Sequence, residues 1–205
     1  MKRIFVTGIS TDVGKTIASA IITEALNADY WKPLQAGELS NSDSHKVAEL
    51  ISNKKTIIHK SSYELNTPMS PHAAADIDNI EIDLNQIMEP KTSNHLVIEG
   101  AGGLLVPLNE KNTILDIIKS DYKVIVVSRH YLGSINHTLL TIESLKQKGF
   151  GVAIIFSGNE HPSTEGIILR KTGVKLIGRI NEETGFDKSS IKLYANKFYP
   201  MLQKI

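Results

Sequence analysis

Residues 3–16 read Arg3-Ile4-Phe5-Val6-Thr7-Gly8-Ile9-Ser10-Thr11-Asp12-Val13-Gly14-Lys15-Thr16. The β-branched and aromatic run Ile4-Phe5-Val6 has the character of a strand, and Ile17 to Leu26 carries apolar residues at helical spacing. Between them lies Gly8, then five residues, then Gly14-Lys15-Thr16. A strand that turns through glycines into a helix presents free backbone N–H groups and a positive dipole end to an anion. Lys15 can reach β- and γ-phosphate oxygens, and the Thr16 hydroxyl can ligate Mg²⁺. The usual phosphate-binding loop has four residues between its glycines, so a strict pattern would miss this one. The alternative is a glycine-rich turn with an incidental lysine.

The remaining chain supports the same architecture. Almost wholly apolar runs such as Val124-Ile125-Val126-Val127 and Ile154-Ile155-Phe156 are the mark of strands covered on both faces. Strands are expected near 3–8, 30–33, 95–99, 123–128, 151–156 and 174–179. Helices are expected over 15–27, 43–53, 83–89, 113–119, 134–148, 162–172 and 187–203. The stretch 55–82, with Pro68 and Pro71, reads as an irregular excursion over the ligand edge of the sheet. The fold class is α/β, a P-loop NTPase-like three-layer α/β/α sandwich with a mostly parallel sheet. A chain of 205 residues holds one such domain, spanning 1–205.

The bulk properties narrow the function. A net charge of +1 with both signs dispersed gives no electrostatic case for nucleic acid or an anionic membrane. No apolar stretch approaches the ~18 residues of a membrane span. The first strand begins at once, which predicts no targeting peptide and a cytoplasmic location. The absence of cysteine excludes disulfides and thiolate chemistry. The seven histidines show no metal spacing.

In parallel α/β sheets ligands gather beyond the carboxyl ends of strands, so the chemistry should follow each strand. Lys32, in Trp31-Lys32-Pro33-Leu34-Gln35-Ala36-Gly37, could bring a second positive charge to phosphoryl oxygens, although a lone lysine is more often solvated. Asp43 could cap the helix that follows it or complete a Mg²⁺ site with Thr16. Leu96-Val97-Ile98-Glu99-Gly100-Ala101-Gly102-Gly103 ends an apolar run in an acid, the form that holds Mg²⁺ in nucleotide-binding proteins. Its glycines permit close backbone approach to a ligand. Gly133 or Ser134 can cap the helix after 123–128, whose free N–H groups could hold a carboxylate.

Taken together these segments resemble the dethiobiotin synthetases. The resemblance is carried by Gly8 to Thr16 with its extra residue, Lys32-Pro33, Asp43, Ser70-Pro71-His72, Glu99 to Gly103 followed by Pro107, and Leu132 to His137. It covers about residues 1–160. It implies ATP-dependent closure of the ureido ring of dethiobiotin from 7,8-diaminononanoate and CO₂, with ATP and Mg²⁺. Lys15 would hold phosphates and Lys32 would bridge carbamate and γ-phosphate. Thr11 and Asp12 would lie near the reacting amines, with Asp12 where the family often has Glu. Thr16, Asp43 and Glu99 would bind Mg²⁺. The nucleotide would contact Asp12, Val13, Gly14, Lys15, Thr16 and Ile17, together with Gly100, Ala101 and Gly102. The diamine would contact Thr11, Lys32, Ala36, Gly102 and Gly103, and its carboxylate would reach Gly133, Ser134 and Asn136 of a second copy. That implies a homodimer with shared sites.

Three segments depart from the family pattern. Ala36 replaces a usual hydroxyl residue, Asn159 offers the adenine-reading amide, and Asn181, Glu182 and Glu183 stand where a proline is expected nearby. Rival readings are a switch ATPase of the ParA/MinD kind, and another P-loop small-molecule ligase or kinase. The former often carries a lysine where Ile9 stands, and a kinase usually carries an arginine-rich lid, whereas 55–82 contains no arginine. An amide synthetase of the cobyrinate type would need a further glutaminase domain. A fold with lost activity would have no reason to keep Lys15, Thr16, Lys32, Asp43 and Glu99 together.

Overall fold

The computed structural model describes residues 1–205. In chain order the elements are β1 (Arg3–Gly8), α1 (Lys15–Leu26), β2 (Asp29–Trp31), β3 (Leu34–Ala36), α2 (Asp43–Leu50), β4 (Ile58–His59), β5 (Tyr63–Leu65), α3 (Pro71–Asp78) and β6 (Leu96–Gly103). They continue as β7 (Lys123–Arg129), α4 (Ser134–Gln147), β8 (Gly151–Ser157), α5 (Pro162–Thr172), β9 (Lys175–Ile180) and α6 (Lys188–Leu202). Seven strands form one sheet in the order β4-β2-β6-β1-β7-β8-β9, every pair parallel. α1 and α6 pack together with α2 on one face, and α4 and α5 cover the other. The expected three-layer α/β/α sandwich is therefore present.

Burial explains the arrangement. Val124 to Val127 and Ile154 to Phe156 are buried whichever way they point, because both faces carry helices. From β1 the chain crosses to β2 on the far side of β6, and after β6 it crosses to β7 on the far side of β1. The carboxyl ends of β1 and β6 thus open on the crevice where a parallel sheet binds its ligands.

Several expectations are corrected. The strand expected at 30–33 stops at Trp31, and Leu34–Ala36 leaves the main sheet to pair in parallel with β5. The stretch 55–82 is not irregular: it holds β4, β5 and α3, with Pro71 at the first turn of α3, where a missing N–H costs nothing. The helices expected over 83–89 and 113–119 are short 3₁₀ turns, Leu84–Gln86 and Ile114–Ile117. β6 runs on through Gly103 instead of ending at Glu99. Between Val6↔Glu99 and Gly8↔Gly103, four steps of β6 face two of β1, so a bulge absorbs the glycines.

At the far edge of the sheet, Gly178 of β9 lies under the ring of Phe198 in α6. An added Cβ would sit 2.2 Å from Phe198 Cε1 and 2.7 Å from Cδ1, and that ring is fully buried. Gly178→Ala should therefore cost roughly 1–3 kcal/mol by overpacking. Urea denaturation should show a lower midpoint at unchanged slope; an unchanged midpoint would mean that α6 moves off the sheet freely.

Candidate active site

The phosphate-loop sequence closes into a tight turn. A Cβ on Gly8 would lie 2.6 Å from Val13 Cγ2 and 2.7 Å from the Ser10 carbonyl oxygen. Gly14 has φ +92° and starts α1 without any side-chain cap. The first N–H groups of α1 consequently face the crevice with no side chain of their own to pair with. Asp12 takes a left-handed φ of 55°, and its carbonyl accepts a hydrogen bond from Arg129 Nη1 at 3.1 Å.

Four charged side chains converge beyond this turn. Lys15 is buried, and its Nζ donates to the Ser10 carbonyl at 3.0 Å. Burial is the largest influence on Lys15 and draws its pKa below the usual lysine value; Glu99 opposes the drop and Lys32 adds to it. Lys32, between β2 and β3, is 4% exposed, so it is no solvated surface lysine. Its Nζ lies 2.5 Å from Asp43 Oδ2 and 3.3 Å from Glu99 Oε1. Burial works to lower the Lys32 pKa, but Glu99 and then Asp43 outweigh it and the net direction is up. Burial works to raise Asp43, yet Lys32 outweighs it and holds the carboxyl below its ordinary range.

Glu99 is 1% exposed and its two oxygens are differently engaged. Oε1 accepts from the Thr16 hydroxyl at 2.9 Å and faces Lys32; Oε2 accepts from the Tyr30 hydroxyl at 2.9 Å. Asp43 is not the cap of α2. Ser42 is, in a reciprocal arrangement with His45, and Asp43 is the first helical residue. Its backbone N–H donates to Gln35 Oε1 at 3.2 Å, which ties the start of α2 to β3. Thr16, Asp43 and Glu99 offer a hydroxyl and two carboxylates around one ammonium. That all-oxygen set, with Asp43 and Glu99 both within reach of one point, fits Mg²⁺, which is held by one or two carboxylates together with phosphate oxygens.

These groups line a cavity of about 950 Å³. Of the residues expected from sequence, Thr11, Asp12, Gly14, Lys15, Thr16, Ile17, Lys32, Ala36, Asp43, Glu99, Ala101 and Gly102 line it. Val13 does not, because its side chain is buried against Gly8. Gly100 lies against the Phe5 ring, where a Cβ would be 3.1 Å from Cε1, and it does not line the cavity. Gly103 pairs with Gly8 behind the wall. Gly133, Ser134 and Asn136 lie outside the cavity at the start of α4, with Ser134 buried and Asn136 exposed. Gly133, not Ser134, is the cap residue there.

Asn159, Asn181, Glu182 and Glu183 are exposed at the ends of β8 and β9, also outside the cavity. They sit next to the phosphate loop: a Cβ on Gly14 would be 3.0 Å from Ser157 Oγ, and Arg129 joins the Asp12 carbonyl to Glu182 at 3.6 Å. Sequence reading missed Tyr30, Gln35, Lys46 and Phe186, the first touching Glu99 and the others lining the cavity. Only Tyr30 left a trace, as part of the strand that leads into Lys32.

A family model described as an AAA domain matches residues 2–190. The ATP-dependent dethiobiotin synthetase BioD of Christiangramia forsetii is 58% identical over 205 residues, covering 100% of this chain and 99% of the relative. That of Cytophaga hutchinsonii is 48% identical, covering 97% and 98%. Among solved structures, a plasmid partition protein of Borrelia burgdorferi bound to AMPPNP covers 100% of this chain and 99% of its own, with TM-score 0.62 and 18% identity. MinD in the MinC:MinD complex of Aquifex aeolicus belongs to a structure that matches with TM-score 0.57 and 16% identity, covering 100% and 97%. At such identities these two structures speak to the fold alone.

The Lys32–Asp43 pair has a defined pH signature. A depressed Asp43 pKa contributes stability above the ordinary carboxylate range and loses it as pH falls through the folded value. A raised Lys32 pKa contributes fully below the ordinary lysine value and is lost only as pH rises through the folded value. In Lys32→Gln the burial of Asp43 persists without its counter-charge, so its pKa rises. The variant should be less stable than the parent near neutral pH, and its urea midpoint should fall less steeply as pH drops through the carboxylate range, because Asp43 no longer takes up a proton on unfolding. Superimposable acid limbs would show that the pair does not form in solution.

Proposed function

Because this chain belongs to the family of ATP-dependent dethiobiotin synthetases, we propose that the residues gathered beyond β1, β2 and β6 carry out that family's ring closure. The enzyme is an ATP-dependent ligase of biotin biosynthesis that forms dethiobiotin from 7,8-diaminononanoate and CO₂, releasing ADP and Pi. The observation that carries the assignment of roles is the buried Lys32 ammonium, held between Asp43 and Glu99 beside the phosphate loop.

In this reading one amine of the substrate attacks CO₂ and loses a proton, giving a carbamate. A carbamate oxygen then attacks the γ-phosphorus and ADP leaves. The second amine closes the five-membered ring at the carbamoyl carbon and expels phosphate. Lys15 and the α1 N-terminus hold the phosphates. Lys32 faces both the carbamate and the transferring phosphoryl oxygens, where charge must be stabilised while the ends are kept in line. Thr11 and Asp12 orient the amines. Ala36 and Gly102, which line the cavity, border the chain of the substrate, and Ala36 offers no hydroxyl to it. Thr16, Asp43 and Glu99 would hold Mg²⁺, which when bound neutralises phosphoryl charge. Asn159, Asn181, Glu182 and Glu183 are the base-side candidates.

The same proposal includes a homodimer with shared sites, one domain over 1–205, and a cytoplasmic location close to its ATP. Leu132 is fully exposed, and Tyr131, Ile135 and Leu140 join it around Ser134 and Asn136. An apolar patch beside polar groups outside the one-chain cavity suits a partner that receives the substrate carboxylate there. No helix is long and apolar enough to cross a membrane.

Phosphate release from MgATP with bicarbonate should require 7,8-diaminononanoate and yield a product heavier by one carbonyl and lighter by two hydrogens. Diamine-independent release would point instead to a switch ATPase. Lys15→Gln should abolish turnover, and near-normal activity would remove the phosphate-loop assignment. Lys32→Gln should keep MgATP binding and lower kcat by roughly 10²–10³; a pure affinity loss would make Lys32 a binding residue. Asn136→Ala should weaken diamine binding alone, and an effect confined to ATP would refute the shared site.

A further inference from the structure

Tyr30 is fully buried on β2, yet it ends in a polar group aimed at the site. Its partner across the ladder is Val97, and Glu99 lies two residues further along β6 on the same face. The Tyr30 hydroxyl donates to Glu99 Oε2 at 2.9 Å, while Oε1 takes Thr16 at 2.9 Å and faces Lys32 at 3.3 Å. The carboxylate is thus divided. One oxygen is fastened inward to the phenol and the other is turned toward the phosphate loop. Phenylalanine would fill the same space on β2, so packing alone does not call for the hydroxyl.

We propose that Tyr30 is a positioning residue, which fixes the orientation of Glu99 so that Oε1 alone is presented to Thr16, Lys32 and the cation of the nucleotide. The proposal rests on the reading of Thr16, Asp43 and Glu99 as the Mg²⁺ ligands. Its physical basis is the cost of leaving a buried carboxylate oxygen without a donor. Without the phenol, Glu99 Oε2 has no other hydrogen-bond donor, and the carboxylate must turn to find one. A turned carboxylate still carries its charge but no longer aims Oε1. Groups that orient a metal ligand in this way typically change metal affinity 10–100-fold when removed.

The test is ADP binding by calorimetry, with and without Mg²⁺, for the parent, Tyr30→Phe, Glu99→Gln and the double variant, with thermal unfolding recorded for each. The parent should bind ADP more tightly with Mg²⁺, and Glu99→Gln should lose most of that gain. If either fails, the metal reading falls and the role of Tyr30 falls with it. Given both, Tyr30→Phe should leave metal-free ADP affinity unchanged and reduce the Mg²⁺-dependent gain by roughly tenfold or more. In the Glu99→Gln background the same substitution should change little, because Tyr30 acts through Glu99. A Tyr30→Phe variant with the parent's Mg²⁺ dependence, or with equal losses in both conditions, overturns the proposal alone. So does additivity with Glu99→Gln. A variant that does not fold makes the hydroxyl a determinant of folding and overturns it as well.

Discussion

A carboxylate removed from water loses several kcal/mol of hydration unless its surroundings replace it, and Glu99 is almost completely removed. Much of the architecture around the crevice serves this one requirement. α1 contributes the Thr16 hydroxyl, β2 the Tyr30 phenol, and the segment after β2 the Lys32 ammonium. Lys32 is itself buried and needs more than one acid, which brings in Asp43 at the head of α2. Asp43 is in turn steadied by Gln35 of β3 through its backbone N–H. Three consecutive segments of the chain are thereby fastened to the end of β6 by polar contacts, with two lysines and two acids nearly balancing. Anything polyanionic entering beside Lys15 meets a prearranged set of dipoles and charges, and little has to reorganise.

Tightness is the second theme. The turn after β1 has one residue more than usual, and Asp12 absorbs it in a left-handed conformation that aspartate tolerates better than most residues. Gly8 is needed because its neighbours Val13 and Ser10 leave no room for a side chain. The matching irregularity on β6, a bulge over Gly100 to Gly102, lets Ala101 and Gly102 reach the cavity while Glu99 remains in the ladder.

The fold and the heart of the site were legible because both follow from local rules. Apolar runs, a glycine-to-lysine turn and an acid closing an apolar strand are each written within a dozen residues. Legibility failed where long-range packing decides. Lys32 looks solvated by composition, and only the acids of two distant segments make its burial tolerable. The region 55–82 looks irregular because β4 and β5 are two and three residues long and cannot show a period. The segment 113–119 makes only a 3₁₀ turn, and the backbone N–H groups of Ile114 and Leu115 donate to Val106 and Leu104 in the chain before it. Tyr30 was passed over because a tyrosine in a short strand is ordinarily core, and what distinguishes it is a hydroxyl partner 69 residues away.

The two rims of the main sheet bear on how copies of this chain can meet. One rim is β4, only Ile58 and His59, too short to template another strand. The other is β9, where Lys175 and Arg179 carry charge and the pairing with β8 shifts between Ile154 and Ile155. Such rims discourage the open-ended strand addition that leads to fibres and aggregates. That leaves side-chain surfaces, such as the exposed apolar shoulder around Leu132, for the closed homodimer proposed above.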